Sequence, residues 1–204
     1  MFPQAESQAY RPALPLILAS TSIWRRALLE RLALPFECGA PGVAEDPIAA
    51  EAPPHRAERL SLAKARAVAV QQPEAIVIGS DQVAAGPQGI LHKPGSVEAC
   101  RSQLASLSGA SARFYTGCAV LSPKRSAPLL HVDVTTVRFR SLTAAEIERY
   151  VERDDPSQCA GGFRSESLGI SLFENITCTD PTALVGLPLI WLAGALRECG
   201  LEVP

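Results

Sequence analysis

Two short apolar runs mark the first half of the chain. Residues 14–20 (Leu-Pro-Leu-Ile-Leu-Ala-Ser) close in small polar residues, and residues 75–79 (Ala-Ile-Val-Ile-Gly) are continuous and β-branched. Both predict buried strands, the second central in a sheet. Between them the apolar spacing turns helical. Thr21 and Ser22 can cap a helix over residues 23–34, with Ala27, Leu28 and Leu32 on one side and Arg25, Arg26 and Glu30 on the other. A Pro-, Gly- and Ala-rich loop over residues 39–54 carries Glu45, Asp46 and Glu51. A longer helix is predicted over residues 56–71, with Leu60, Ala63, Ala67 and Val70 as one face.

Past the second strand, residues 86–94 read as a turn-rich connection, and Ser96 can cap a helix reaching Leu107. Two strands follow over residues 112–121 and 129–140. In the latter, Val132 and Val134 share one parity while Val137 and Phe139 share the other, which predicts a bulge or a change of buried face at Thr135-Thr136. Thr143 caps a helix to Val151. Residues 163–176 read as a pair of extended segments around Gly169, and a last helix over residues 188–199 ends at Gly200. Strands and helices alternate first, then two long strands adjoin. The expected fold is α/β, a mixed sheet flanked by helices and split into two lobes with a cleft between them. Residues 1–12 are polar with two prolines and are expected to be a flexible tail, leaving residues 13–204 as one domain.

Composition narrows the function. Of 204 residues, 47% are hydrophobic and 20% charged, as in an ordinary folded domain. The formal net charge of -2 argues against a nucleic-acid partner, though one phosphorylated small molecule needs only a local basic cluster. No apolar run has the length of a membrane span. Six cysteines lie scattered with no Cys-x-x-Cys pair, and no secretion signal is visible, so reduced, buried thiols in a cytoplasm are expected. His55, His92 and His131 have no metal-ligand spacing, and neither a P-loop nor a Gly-x-Ser-x-Gly elbow is present.

The candidate chemistry starts at Asp81, in the Ser80-Asp81-Gln82 that ends the second strand. Ligand sites in α/β sheets lie beyond the carboxyl ends of strands. A lone aspartate there is as readily a turn residue. Three other features favour a site: Ser20 and Ser22 end the other buried strand, Lys64 lies on an otherwise apolar helix, and Lys93 sits in a Gly/Pro-bounded loop. Hydroxyls at a strand-to-helix junction suit phosphate, because first-turn amides have no partner inside the helix. Carboxylates with cations suit a phosphate-plus-metal site.

The segment Ser20-Thr21-Ser22-Ile23-Trp24-Arg25-Arg26-Ala27-Leu28-Leu29 resembles the opening signature of the Maf family of nucleotide pyrophosphatases. Matches continue in order through Lys64-Ala65, residues 78–83, Lys93-Pro94, Leu107-Ser108-Gly109, Tyr115-Thr116-Gly117, residues 159–174 and residues 184–189. The resemblance implies hydrolysis of a nucleoside triphosphate to the monophosphate and pyrophosphate, dependent on a divalent cation, Mg²⁺ or Mn²⁺. It makes Asp81 the proton acceptor, places Arg25, Lys64 and Lys93 on the phosphates, gives Glu45 and Asp81 as metal ligands, and suggests a homodimer.

Trp24, Gln82 and Glu166 look like the branch of that family acting on 7-methyl-GTP; the dTTP/UTP branch has Arg, Thr and Gln at these places. Methylation at N7 makes the base cationic, so an indole face and a carboxylate attract it while an arginine repels it. The chain departs from the family pattern at Ile23 (usually Pro), His92 (usually Gly), Ala44 (usually acidic) and Ser167 (often Gly). Two other functions compete: the same reaction on dTTP, UTP or another altered nucleotide, and a nucleotide-binding regulator of cell division.

Overall fold

The computed structural model describes residues 14–154 and 156–204, so the tail expected over residues 1–12 lies outside the described residues. Among these, seven strands form one mixed sheet. β1 (Leu16–Ala19) pairs in parallel with β2 (Glu37–Cys38) on one side and β3 (Ile76–Gly86) on the other. β3 then pairs antiparallel with β5 (Ser111–Leu121), β5 with β6 (Leu129–Phe139), and β6 with β7 (Phe173–Thr177). A short hairpin strand, β4 (Gly89–Leu91), pairs with the far end of β3, where a turn-rich connection was expected. The helices are α1 (Ile23–Glu30), α2 (Pro53–Ala69), α3 (Val97–Leu107), α4 (Ala144–Asp154) and α5 (Leu189–Glu198).

β3 is much longer than its apolar run, so Asp81 lies mid-strand rather than at a strand end. Its neighbour is what stops. β1 pairs with β3 only through Ala19↔Gly79, and β4 begins at Ala84↔Leu91. Because β5 occupies the other edge continuously from Val77 to Ala85, residues 80–83 of β3 face a gap between β1 and β4. The cleft opens there.

One face of the sheet explains the two lobes. Ile76, Ile78, Cys118 and Val120 join α1 and α5 in one apolar cluster, and Ala84, Ala112, Phe114, Val137 and Phe139 join α3 and α4 in another. Between them a polar belt crosses the sheet in register: Ser80 opposite Cys118, Gln82 opposite Thr116, and Thr116 opposite Asp133. The sheet is continuous while its core is interrupted. The belt also corrects the reading of β6, whose register against β5 is regular through Thr135-Thr136. Asp133, Thr135, Val137 and Phe139 are all buried on one parity while Val134 is exposed. Polar residues at buried positions mimicked a phase slip. The irregularity falls instead at Arg138/Phe139, against β7.

α2 covers the opposite face, and two glycines let it approach. A Cβ on Gly79 would lie 2.1 Å from the Ser61 carbonyl oxygen, and one on Gly117 would lie 2.2 Å from that of Ala57. The buried face of α2 is Ala57, Leu60, Ser61, Lys64, Ala65 and Val68, rotated from the expected stripe and leaving Val70 exposed. α1 ends at Glu30, four residues short of prediction, and buries Leu28 and Leu29 while Ala27 is exposed. α4 opens with a capping box: Thr143 Oγ1 accepts from Glu146 N (3.3 Å) and Glu146 Oε2 accepts from Thr143 N (2.8 Å). Of the extended pair expected over residues 163–176, only β7 is a strand; Leu168–Leu172 forms a 3-10 turn. No disulfide joins the cysteines among the described residues, but Cys38 and Cys178 are exposed where burial was expected.

Candidate active site

A cavity of about 570 Å³ occupies the gap beside β3. It is lined by Ser20, Ser22, Trp24 and Arg25 from the β1–α1 junction, Glu45 from the following loop, and Lys64 from α2. Asp81 and Gln82 come from β3, Lys93 from beyond β4, and Glu166 from the segment after α4. Every residue proposed from the sequence for catalysis, substrate or metal lines this one space.

The close seating of α2 sets its charged centre. Gly79 and Asp81 share a face of β3, so the helix that lies against Gly79 brings Lys64 over Asp81. Lys64 Nζ donates to Asp81 Oδ1 at 2.6 Å and lies 2.6 Å from Glu45 Oε1. Lys64 and Asp81 are buried, while the Glu45 side chain is half exposed. The Glu45 loop is tied to α2, since Arg56 Nη2 donates to the Glu45 carbonyl (3.0 Å) and Arg59 to the Glu51 carboxylate (2.6 and 2.7 Å).

The two carboxylates are driven apart. Burial pushes Asp81 above the usual aspartate range, with Glu45 adding to the rise, against the opposing pull of Lys64 and Arg25. Burial also raises Glu45, but the hydrogen bond and charge of Lys64, with Arg25 and Lys93 beyond, outweigh it and hold that carboxyl below its ordinary value. One environment thus favours accepting a proton and the other favours a persistent negative charge.

At the other wall Ser22 caps α1, its Oγ accepting from Arg25 N (3.4 Å), and Ser20 Oγ accepts from Ser22 N (3.1 Å). The first-turn amides of Ile23 and Trp24 therefore stay available to an anion at the cavity wall. Arg25 Nε donates to the Gly186 carbonyl (2.9 Å), which fixes the guanidinium plane and leaves its two terminal nitrogens for a ligand. Lys93 is exposed, with no ion pair among the described residues.

Residues 184–189 match the family motifs, but nothing in their own sequence shows a task in the site. Gly186 is left-handed (φ 118°), and its carbonyl also lies 2.8 Å from Ser80 Oγ. Gln82 Nε2 donates toward the carbonyls of Ala183 (3.1 Å) and Leu184 (3.0 Å), and Thr116 Oγ1 donates to Ala183 (2.8 Å). These carbonyls can only accept, so the Gln82 amide nitrogen must face them and its oxygen is turned away as an acceptor. The polar belt is the socket for this segment. A polar triplet at one parity of neighbouring strands was the available signal, and it shows only once the register is known.

A profile of the family described as Maf-like protein matches residues 15–199. The chain belongs to this family. It is 52% identical over 190 residues to a protein of Xanthomonas oryzae pv. oryzae named 7-methyl-GTP pyrophosphatase, covering 93% of this chain and 98% of that one. A protein of Aromatoleum aromaticum with the same name is 50% identical over 189 residues (93% and 97%), and one of Nitrosococcus oceani is 46% identical over 193 residues (94% and 97%). Maf-like membership thus rests on nearly the whole chain, cavity included.

The donor set can be tested against a divalent cation. Glu45 and Asp81 supply hard oxygen donors, and no group of three or more His, Cys, Asp or Glu able to hold a metal occurs among the described residues. Both carboxylates already lie 2.6 Å from Lys64 Nζ, so a cation such as Mg²⁺ would take their remaining oxygens and complete its coordination with water and substrate phosphates. No helix of the described residues is long and apolar enough to cross a membrane.

Proposed function

We propose that this protein hydrolyses 7-methyl-GTP to 7-methyl-GMP and pyrophosphate. The observation that carries the reading is a buried Asp81, its pKa raised by burial and its Oδ1 held by Lys64, in the same cavity as Trp24, Gln82 and Glu166. Asp81 takes a proton from water, which attacks the α-phosphorus, while pyrophosphate leaves. Lys64, with two of its three donors on Glu45 and Asp81, orients the base and compensates both anions. The Ile23 and Trp24 amides, the free edge of Arg25 and Lys93 receive the phosphates and the charge that develops on the leaving group. Glu45 and Asp81 would hold a divalent cation, which when bound neutralises phosphate charge. The Trp24 indole stacks on the cationic base, Gln82 Oε1 accepts from its edge, and Glu166 accepts from N1–H and the exocyclic amine.

The decisive experiment incubates the purified protein with Mg²⁺ or Mn²⁺ and a panel of 7-methyl-GTP, GTP, dTTP and UTP. Pyrophosphate release fastest from 7-methyl-GTP is expected; preference for a pyrimidine would hand the function to the alternative branch. The family resemblance supports a homodimer in a cytoplasm. Light scattering tests the first and fractionation of the producing cell the second.

A further inference from the structure

Glu166 is an exposed residue whose only side-chain bond among the described residues is to its neighbour, Ser165 Oγ to Glu166 Oε2 at 3.3 Å. Its carboxylate is free to move unless its backbone is held. Both flanks are held, and by one group. Asp154, buried at the end of α4, accepts from Arg164 Nη2 on one side of Glu166 (Oδ1, 2.5 Å) and from Ser167 Oγ on the other (2.7 and 2.8 Å to its two oxygens). Arg164 Nη2 also reaches the Asp154 carbonyl, Arg164 N donates to Tyr150 Oη (3.0 Å), and Ser167 N donates to the Arg164 carbonyl (3.3 Å). The turn closes tightly, since a Cβ on Gly169 would lie 2.3 Å from the Arg164 carbonyl oxygen.

Ser167 sits at φ −132° and ψ −139°, outside the left-handed region that favours glycine. Its hydroxyl is the part that matters. We propose that Ser167 is a specificity-determining positioning residue: through Asp154 it holds the Arg164–Ser167 turn so that Glu166 faces the base side of the cavity. The clamp rests on the reading of Glu166 as a base-recognising group. It acts through one buried carboxylate that accepts from both flanks, from the Arg164 guanidinium and from a single Ser167 hydroxyl proton shared between its two oxygens, which restrains the turn and spares substrate binding the cost of ordering it.

The test compares KM and kcat for 7-methyl-GTP and GTP in the wild type, Ser167→Ala, Ser167→Thr, Glu166→Gln and the Glu166→Gln/Ser167→Ala double variant. Ser167→Ala is expected to raise KM for 7-methyl-GTP by about 3- to 10-fold, with a smaller change in kcat, and to narrow the preference over GTP. Ser167→Thr, which keeps the hydroxyl, restores most of it. In the Glu166→Gln background Ser167→Ala adds nothing further, because the clamp works only through Glu166. If Glu166→Gln shifts the preference and Ser167→Ala does not, the clamp is wrong while the base reading stands. A Ser167→Ala effect that persists in the double variant also overturns it. An unchanged preference in Glu166→Gln removes the reading itself, and the clamp with it.

Discussion

The two ends of the cavity are built on opposite terms. At the phosphate end, Asp81 and Lys64 are buried in direct contact, Glu45 is tethered to α2, and two glycines bring the helix onto the sheet. At the base end, Trp24 is 37% exposed, Glu166 is exposed with only its flanking turn held, and the Gln82 side chain is anchored through its amide nitrogen. Buried charges act strongly but tolerate little rearrangement, because each loses water that only its partner replaces. Exposed side chains leave the base pocket open to change by single residues. On the proposed function, reaction chemistry is built into the core and base choice is laid on the surface.

The sharpest test of that contrast is Asp81→Asn, expected to lower kcat by roughly 10³-fold, the scale of a lost general base. The fold should not suffer. A carboxyl whose folded pKa is raised adds stability that is complete below its unfolded pKa and lost as pH rises through the folded one. At neutral pH Asp81 therefore burdens the fold, and a melting curve of Asp81→Asn should show an unchanged or higher Tm.

Lys64→Met comes next, with kcat reduced by roughly 10²-fold. Its signature is in the pH profile. Activity needs the Asp81 anion, so in the wild type it falls on acidification through a pKa above the usual aspartate range. Removing the Lys64 cation, which pulls that pKa down, moves the acid limb of kcat/KM to still higher pH. An unmoved limb would separate Lys64 from Asp81.

At the base end the effects shrink. Trp24→Ala should raise KM for 7-methyl-GTP by about 10-fold, in line with the loss of one stacking platform, while altering GTP less. Equal losses on both nucleotides would show that the indole does not sense the base charge. Smallest is Ser22→Ala, which removes the α1 cap and should cost about 1 kcal/mol, read as a Tm lower by about 2–4 °C.

Much of this was legible beforehand because it is local. Apolar runs, capping hydroxyls and the Gly/Pro punctuation placed β1, α5 and the starts of β3 and α1 nearly where they lie, and Ser96 caps α3 as expected, its Oγ accepting from Ala99 N (3.2 Å). The site residues were named from motifs running in order along the chain, and the cavity collects all of them. What misled was non-local. The parity of Val132 and Val134 read as a slip at Thr135-Thr136 because nothing in the neighbourhood announces that Asp133 and Thr135 lie on the buried face beside Thr116 and Phe114.

The sequence by itself determined most of the elements, the family and which residues stand as candidates for the chemistry, since each depends on residues close in the chain or on ordered motifs. Tertiary structure decided what those groups do to one another. Asp81 is mid-strand, yet it is accessible because β1 ends two residues earlier in register and β4 has not begun. Lys64 serves two carboxylates because Gly79 and Gly117 admit α2, and Gln82 presents its oxygen because residues 183–184 take its nitrogen. Such relations join residues that are far apart in sequence, where only the register of the sheet and the closeness of packing set the distance.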